Sequence, residues 1–392
     1  MPGLEVDPLA GVLGGGPGVP WFVQARGAES AALMACADAK LTGRLGCCLA
    51  PPGAGALRLL GGLYDAAADR APVLAVVGEE TTVRPDGGRV VRHLAEVSVF
   101  REQVSGPELM GDALNRATRA ALTDRGVASL VVPRHVLAAT APPGLGDSVQ
   151  VGLWPPVRPP DERDVRRAAE VLDGAGRPAV VVGNAGRAAC GQAVGVASLL
   201  GVATTALARD ALPDDLSCVT GVVGPFGSEA EGGAPAGVRH AAPRGCGGPR
   251  SGPAAGSRLH GDATAALETL IPLLRRATDR PWRARGESTV RSWRAEGQTR
   301  ASRYFGTSVN PRSVVAELSE RLPDRSAVVT DAGTSLDWWI RHLRLRNGMR
   351  SLLSGHLGLP GAAVPYAVAA RFAPPTGRSS PSSVTAPSSP VA

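Results

Sequence analysis

Residues 21–78 read WFVQARGAESAALMACADAKLTGRLGCCLAPPGAGALRLLGGLYDAAADRAPVLAVVG, and this stretch decides the fold. Over 29–40 the apolar positions 32, 33, 36 and 37 recur at helical spacing in an alanine-rich run, which predicts an amphipathic helix. Residues 45–50 are short, apolar and followed by Pro-Pro-Gly, so they read as a buried strand entering a glycine-bearing turn. A second Ala/Leu-rich helix over 55–68 follows, and 72–77 is apolar throughout, as a parallel strand buried on both faces must be. The order α-β-α-β implies an α/β fold built on doubly wound parallel sheets. The PPGAGA turn lies between strand and helix, where backbone N–H groups can receive an anion or a polar ring. Its glycines are equally explained by the backbone geometry of a tight turn.

A chain of 392 residues can hold two or three domains with a sizeable core. The formal charge of +7 would raise nucleic acid as a partner, but Lys40 is the single lysine among 42 basic residues. The arginines are scattered through Gly/Ala/Pro-rich segments without interleaved aromatics, which argues against a nucleic-acid groove. Cysteines 36, 47, 48, 190, 218 and 246 show no C-x-x-C spacing and read mostly as small buried residues. His93, His135, His240, His260, His342 and His356 have no metal-ligand spacing and read as surface or satisfied core residues, so no metal ligand is assigned. No run approaches the ~20 apolar residues of a membrane span, and the N-terminus lacks a signal pattern, so a reducing cytoplasm is expected.

Outward from the quoted stretch, residues 1–20 are Gly/Pro-rich and irregular. A helix over 106–124, with Leu109, Ala113, Ala117 and Leu122 on its apolar face, and the strand GVASLVVP at 126–133 complete a first domain, 21–141. A Pro-rich linker occupies 142–160. A helix at 161–174, a strand at 177–183, a helix at 188–200, a strand at 202–206 and a helix at 265–276 form a central α/β domain, 161–285. Its G-N-A-G turn at 183–186 lacks the G-x-G-x-x-G spacing, and a nucleotide-binding reading requires that turn to open a helix onto a cleft. Within this domain, 229–258 has Val238 as its only aliphatic residue larger than alanine, too little to pack against a sheet, and reads as a low-complexity insert. A partial third domain, 286–373, has a helix from Asn310-Pro311 to 321 and a strand at 326–330, and 374–392 is a Pro/Ser tail expected to be disordered.

Taken whole, the chain resembles the thiamine-diphosphate-dependent enzymes of the pyruvate oxidase, pyruvate dehydrogenase (quinone) and acetolactate synthase group. That family carries F-V-Q-x-R-H-E-E, A-x-A-K-x-T-G, C-x-A-x-S-G-P-G and L-x-N-G-L-Y-D-A. Here these stand as Phe22-Val23-Gln24-Ala25-Arg26-Gly27-Ala28-Glu29, Ala39-Lys40-Leu41-Thr42-Gly43, Pro52-Gly53-Ala54-Gly55 and Gly61-Gly62-Leu63-Tyr64-Asp65-Ala66. The likeness covers roughly 21–228 and 259–373. It implies a pyrimidine-binding domain, a central flavoprotein-like domain and an incomplete diphosphate-binding domain. It further implies thiamine diphosphate with Mg²⁺ as cofactors, FAD as a further candidate, and a 2-oxo acid such as pyruvate as substrate. Because the family's active sites lie between two chains, a homodimer or tetramer is expected.

The resemblance also assigns roles residue by residue. A glutamate on the pyrimidine-domain strand exchanges a proton with the cofactor's aminopyrimidine. Read without gaps it falls on Ala28, and Glu29 replaces it only through a one-residue slip or bulge; otherwise Glu29 is a first-turn helix carboxylate. The implied cofactor-binding residues are Gly53 and Gly55, then Asp331, Gly333, Thr334 and Ser335 as donors to the diphosphate or as a bare turn, and Gly358 through its carbonyl. Pro360 stands where the family has a methionine whose N–H bonds the ring, and proline has none. Arg58 and Gly61 replace a histidine and an asparagine or threonine.

The family's magnesium motif, G-D-G with an asparagine further on, is not reached. Residues 375–389, back-translated with GC-rich codons and read in another frame, can spell P-D-R-P-V-V-A-L-V-G-D-G-A-F-Q, which contains it. The expectation is therefore a C-terminally truncated, frameshifted relative of a 2-oxo-acid decarboxylase or oxidase, inactive as written. The alternative is a non-catalytic remnant or a module that pairs with an intact relative.

Overall fold

The computed structural model describes residues 22–79, 89–140, 142–143, 159–175, 178–197, 201–224, 227, 259, 261–275, 281–304 and 306–373. The expectations for 1–20, 229–258 and 374–392, and for most of the 142–160 linker, lie outside these residues.

The first sheet and its helices form in chain order as α1 (Ala28–Thr42), β1 (Gly46–Ala50), α2 (Ala54–Ala68), β2 (Val73–Glu79), α3 (Arg89–Val97), β3 (Ser98–Gln103), α4 (Met110–Asp124), β4 (Val127–Pro133) and α5 (Arg134–Ala138). The strands lie in the order β1-β2-β4-β3, and every pairing is parallel. Alternation along β2 explains its unbroken apolar run. Val73, Ala75 and Val77 join α1 and α2 on one face, while Leu74 and Val76 join Ala113, Ala117 and Ala121 of α4 on the other. Full burial of Leu59 and Leu63 on α2 contributes about 1.5–3 kcal/mol for each side chain.

α1 and α2 approach closely because α2 carries Gly61-Gly62 where they cross. A Cβ on Gly62 would sit 2.7 Å from the Ala32 Cβ and 2.9 Å from the Glu29 carbonyl oxygen. Residues 22–25 form no strand, so the segment before α1 is not the strand end that the family motif led us to expect.

The second sheet has α6 (Glu162–Gly174), β5 (Ala179–Val182), α7 (Cys190–Ala197), β6 (Gly201–Thr204), β7 (Val219–Val222) and α8 (Ala263–Leu270), with parallel order β5-β6-β7. Asp161 caps α6 by accepting from the Arg163 amide at 2.8 Å, and Asp262 caps α8 by accepting from the Ala265 amide at 2.9 Å. The helix expected over 188–200 starts differently. A 3-10 segment, Asn184–Ala189, precedes α7, and the 3-10 turn Ile271–Leu273, carrying Pro272, ends the helix expected over 265–276 early.

The last part holds α9 (Pro281–Ala301), α10 (Pro311–Arg321), β8 (Ala327–Val329), α11 (Thr334–His342), β9 (Arg350–Leu352) and α12 (Ala363–Phe372), with β8 parallel to β9. Asn310 caps α10 ahead of Pro311, accepting from the Arg312 amide at 3.0 Å. This part docks on the first sheet, because Leu352, Ala362, Tyr366 and Ala369 complete the same core as α1 and α2. It docks on the second through acid anchors. Asp210, paired with Arg187 at 2.6 Å, accepts from Arg350 at 3.1 Å and the Ser351 amide at 3.0 Å, while Asp214 accepts from the Leu345 amide at 2.8 Å and Arg209 donates to the Leu343 carbonyl at 2.6 Å.

Candidate functional site

The residues that the sequence singled out fall into two groups. Glu29 is the second residue of α1, not a strand residue, and its exposed side chain lies against Gly61 of α2, whose missing Cβ leaves the room. It is therefore placed as a first-turn carboxylate, and no strand is present to slip or bulge. Gly53 is the N-cap of α2 at φ 66° and would have open space around a Cβ, whereas a Cβ on Gly55 would press into Pro51 at 2.6 Å.

The second group converges. Gly333, at φ 94°, is the N-cap of α11, which has no side-chain cap, and Gly333, Thr334 and Ser335 are exposed. Ser335 donates its hydroxyl to the Asp331 carbonyl at 3.1 Å. Asp331 turns its carboxylate to the other turn, accepting from the Gly361 amide at 2.9 and 3.0 Å and from the Ala332 amide at 2.9 Å. The 331–335 and 358–361 turns are thus stitched side by side by one side chain. Gly333 and Gly358, the latter at φ 62°, both have nothing within 4 Å of a Cβ, so each faces open space there.

Behind these turns lies a buried polar network that the sequence did not disclose. Lys40, the single lysine, donates to Asp69 at 2.6 Å, to the Tyr366 hydroxyl at 2.6 Å and to the Leu353 carbonyl at 3.0 Å, and lies 3.6 Å from Asp65. Asp69 also accepts from the Gly355 amide at 2.9 Å, the His356 amide at 2.8 Å and the His356 Nδ1 at 2.8 Å. Asp65 accepts from Ser354 and Tyr366, and the Ser354 Oγ in turn accepts from the Leu359 amide at 2.7 Å. Burial opposes the charge on Lys40, but the negative groups around it, Cys36 when ionised and then Asp69 and Asp65, reverse this and hold the ammonium above its ordinary range. Burial would likewise raise the Asp69 carboxyl, yet Lys40 and the hydrogen bonds from His356, Lys40 and Gly355 hold it well below the usual carboxylate range. The hydrogen bond to Asp69 raises His356, against partial burial. Cys36 sits 3.3 Å from the Tyr366 hydroxyl, and burial pushes its thiol up to about 12, which leaves it an unreactive member of the network.

The G-N-A-G turn does not open an α-helix. It runs into the 3-10 segment 184–189, Asn184 is spent donating to the Asp69 carbonyl at 2.8 Å, and Arg187 is paired with Asp210. That removes the geometry a nucleotide-binding reading required. Among the described residues no group of three or more His, Cys, Asp or Glu side chains is arranged to hold a metal ion, and no helix is long and apolar enough to cross a membrane.

Residues 2–96 match the sequence model of the family described as thiamine pyrophosphate enzyme, N-terminal TPP binding domain. A protein of Bacillus subtilis (strain 168) described as thiamine pyrophosphate-containing, YdaP, is 29% identical over 90% of this chain and 66% of its own length. Pyruvate oxidase of Lactiplantibacillus plantarum is 29% identical over 48% of this chain and 32% of its own length. Acetolactate synthase of Mycobacterium bovis is 31% identical over 53% of this chain and 35% of its own length. The chain thus spans less than two thirds of the length of these curated relatives. The matched N-terminal region and these identities show a chain similar to thiamine-diphosphate-dependent enzymes, pyruvate oxidase and acetolactate synthase among them.

Proposed function

We propose that this chain binds thiamine diphosphate on the turns 331–335 and 358–361 and has lost the proton-exchange step of 2-oxo-acid decarboxylation. The observation that carries the reading is the Asp331 bridge to the Gly361 amide, which brings the two turns together with their glycines open. At the start of α11, Gly333, Thr334 and Ser335 offer amides, and Thr334 a hydroxyl, to a diphosphate, and the helix dipole favours its charge. Gly358 offers its carbonyl to the aminopyrimidine edge. When bound, thiamine diphosphate supplies a thiazolium carbon that stabilises the carbanion left by decarboxylation. The chain's own residues fit the two ends of that cofactor, but they do not fit its activation. Ala28 has no carboxylate, Glu29 is a first-turn helix residue exposed in the single chain, and Pro360 removes a donor. Among the described residues no carboxylate cluster is arranged for Mg²⁺, and at the 183–186 turn the Asn184 amide is committed to the Asp69 carbonyl.

Purified protein with thiamine diphosphate, Mg²⁺ and pyruvate is expected to release no carbon dioxide above buffer. Thiamine-dependent release would refute the loss of the proton-exchange step. A second reading, a module that pairs with an intact relative or with its own copy, is favoured by Leu57 and Tyr64, which α2 exposes seven residues apart on one face. A strictly monomeric chain in sedimentation, with and without such a relative, would contradict it. The free thiols of Cys36, Cys47, Cys48 and Cys190 support the reducing cytoplasm we propose as its compartment.

A further inference from the structure

The Leu359 amide and the Gly358 carbonyl belong to one peptide unit. That unit is planar and trans, so its N–H and C=O point in opposite directions. The Ser354 Oγ accepts from the Leu359 amide at 2.7 Å, which turns the N–H inward towards buried Ser354 and so the Gly358 carbonyl the opposite way. The Ser354 hydroxyl is itself fixed, since it donates to Asp65 and both residues are buried. The two residues that follow Ser354 are held in turn by Asp69, which accepts from the Gly355 and His356 amides. At the far end Asp331 holds the Gly361 amide, and Pro360 restricts Leu359 to extended backbone. Within 357–360 the Leu359 side chain packs on the first core and its amide is held by the Ser354 hydroxyl, the hydrogen bond that orients the Gly358 peptide plane.

We propose that Ser354, backed by Asp65 and Asp69, is the positioning residue that aims the Gly358 carbonyl at the aminopyrimidine ring. This deepens the cofactor-binding reading above and rests on it. Ser354 acts on one end of the ligand. The diphosphate end, at 333–335, has no hydrogen bond to the Ser354 network, so loss of the hydroxyl should weaken the ring contact and leave the phosphate contact alone.

The test compares wild type, Ser354→Ala and Ser354→Thr in two measurements. In ligand-free protein, exchange of the Leu359 amide with solvent is expected to speed up at least about tenfold in Ser354→Ala, the scale of one lost hydrogen bond, and to be restored by Ser354→Thr. In calorimetry, Ser354→Ala is expected to weaken thiamine diphosphate about tenfold, leave inorganic pyrophosphate unchanged, and be rescued by Ser354→Thr. Unchanged Leu359 exchange in Ser354→Ala overturns the inference whatever binds. An equal loss for both ligands also overturns it, since the network would then be a general strut. If exchange responds as expected but wild type binds neither ligand, the function proposed above fails and takes the cofactor half of this inference with it.

Discussion

Lys40→Met removes the cation at the centre of the network while keeping most of the side chain's apolar volume. The lysine side chain is 4% exposed and those of Asp65 and Asp69 are 0% exposed, so neither carboxylate can be rescued by water. Three hydrogen bonds go, to Asp69, Tyr366 and the Leu353 carbonyl, and two buried negative charges lose their counter-charge. Breaking one partner out of a buried pair costs about 3–5 kcal/mol. The value here should lie near the low end, because Asp69 keeps three N–H donors from Gly355 and His356, and Asp65 keeps Ser354 and Tyr366. About 3 kcal/mol is a large share of a typical folding free energy of about 5–15 kcal/mol. Urea unfolding should show it as a lower midpoint with an unchanged slope. The double variant Lys40→Met, Asp69→Asn should recover about half of the loss, because it also removes the stranded charge. A cost under about 1 kcal/mol, the range of a solvent-exposed pair, would refute the reasoning, as would strictly additive losses in the double variant.

The remaining expectations concern pH and packing. His356 has a folded pKa raised above the ordinary value of about 6.5, so its bond to Asp69 stabilises fully below that value and fades as pH rises through the folded one. Thermal melting between about pH 6 and 9 should therefore decline more in wild type than in His356→Gln, and parallel profiles would contradict the pairing. Gly62→Ala should destabilise by about 1–3 kcal/mol, because its Cβ meets the Ala32 Cβ and the Glu29 carbonyl of α1. Gly61→Ala should be close to neutral, since the atom it meets first is the movable end of Glu29, and helix propensity gains about 1 kcal/mol.

The first sheet was legible because its signals are local. Alanine-rich helices, apolar strands and a Pro-Pro-Gly turn follow one another in 29–77, and α1, β1, α2 and β2 sit within a residue or two of those expectations. α9 was missed for the opposite reason. Its sequence, PWRARGESTVRSWRAEGQTRA, has no apolar stripe, and the helix is held from outside, by Arg294 donating to the Asp214 carbonyl and Trp293 stacking on His342 at 6.0 Å. β9 escaped because only three residues pair, and Arg350 and Ser351 break the apolar pattern that marks a strand. Among the site residues, the likeness of motifs picked out 331–335 and Gly358, but nothing local could bring them together. That depends on Asp331 reaching a residue 30 positions later. The Lys40 network was beyond reach for the same reason, since its members come from α1, α2, α12 and the 353–359 loop, and His356 read simply as surface or satisfied core. The one clue was compositional: a single lysine in an arginine-rich chain, where a compact ammonium satisfies several partners at once.

Titration of the full chain with thiamine diphosphate and Mg²⁺ in a calorimeter asks whether the paired turns still hold the cofactor. The lost Pro360 donor weakens binding by about 1–3 kcal/mol, so saturable heat is expected with a Kd on the order of tens of micromolar, about 6 kcal/mol. No heat at millimolar ligand would contradict it.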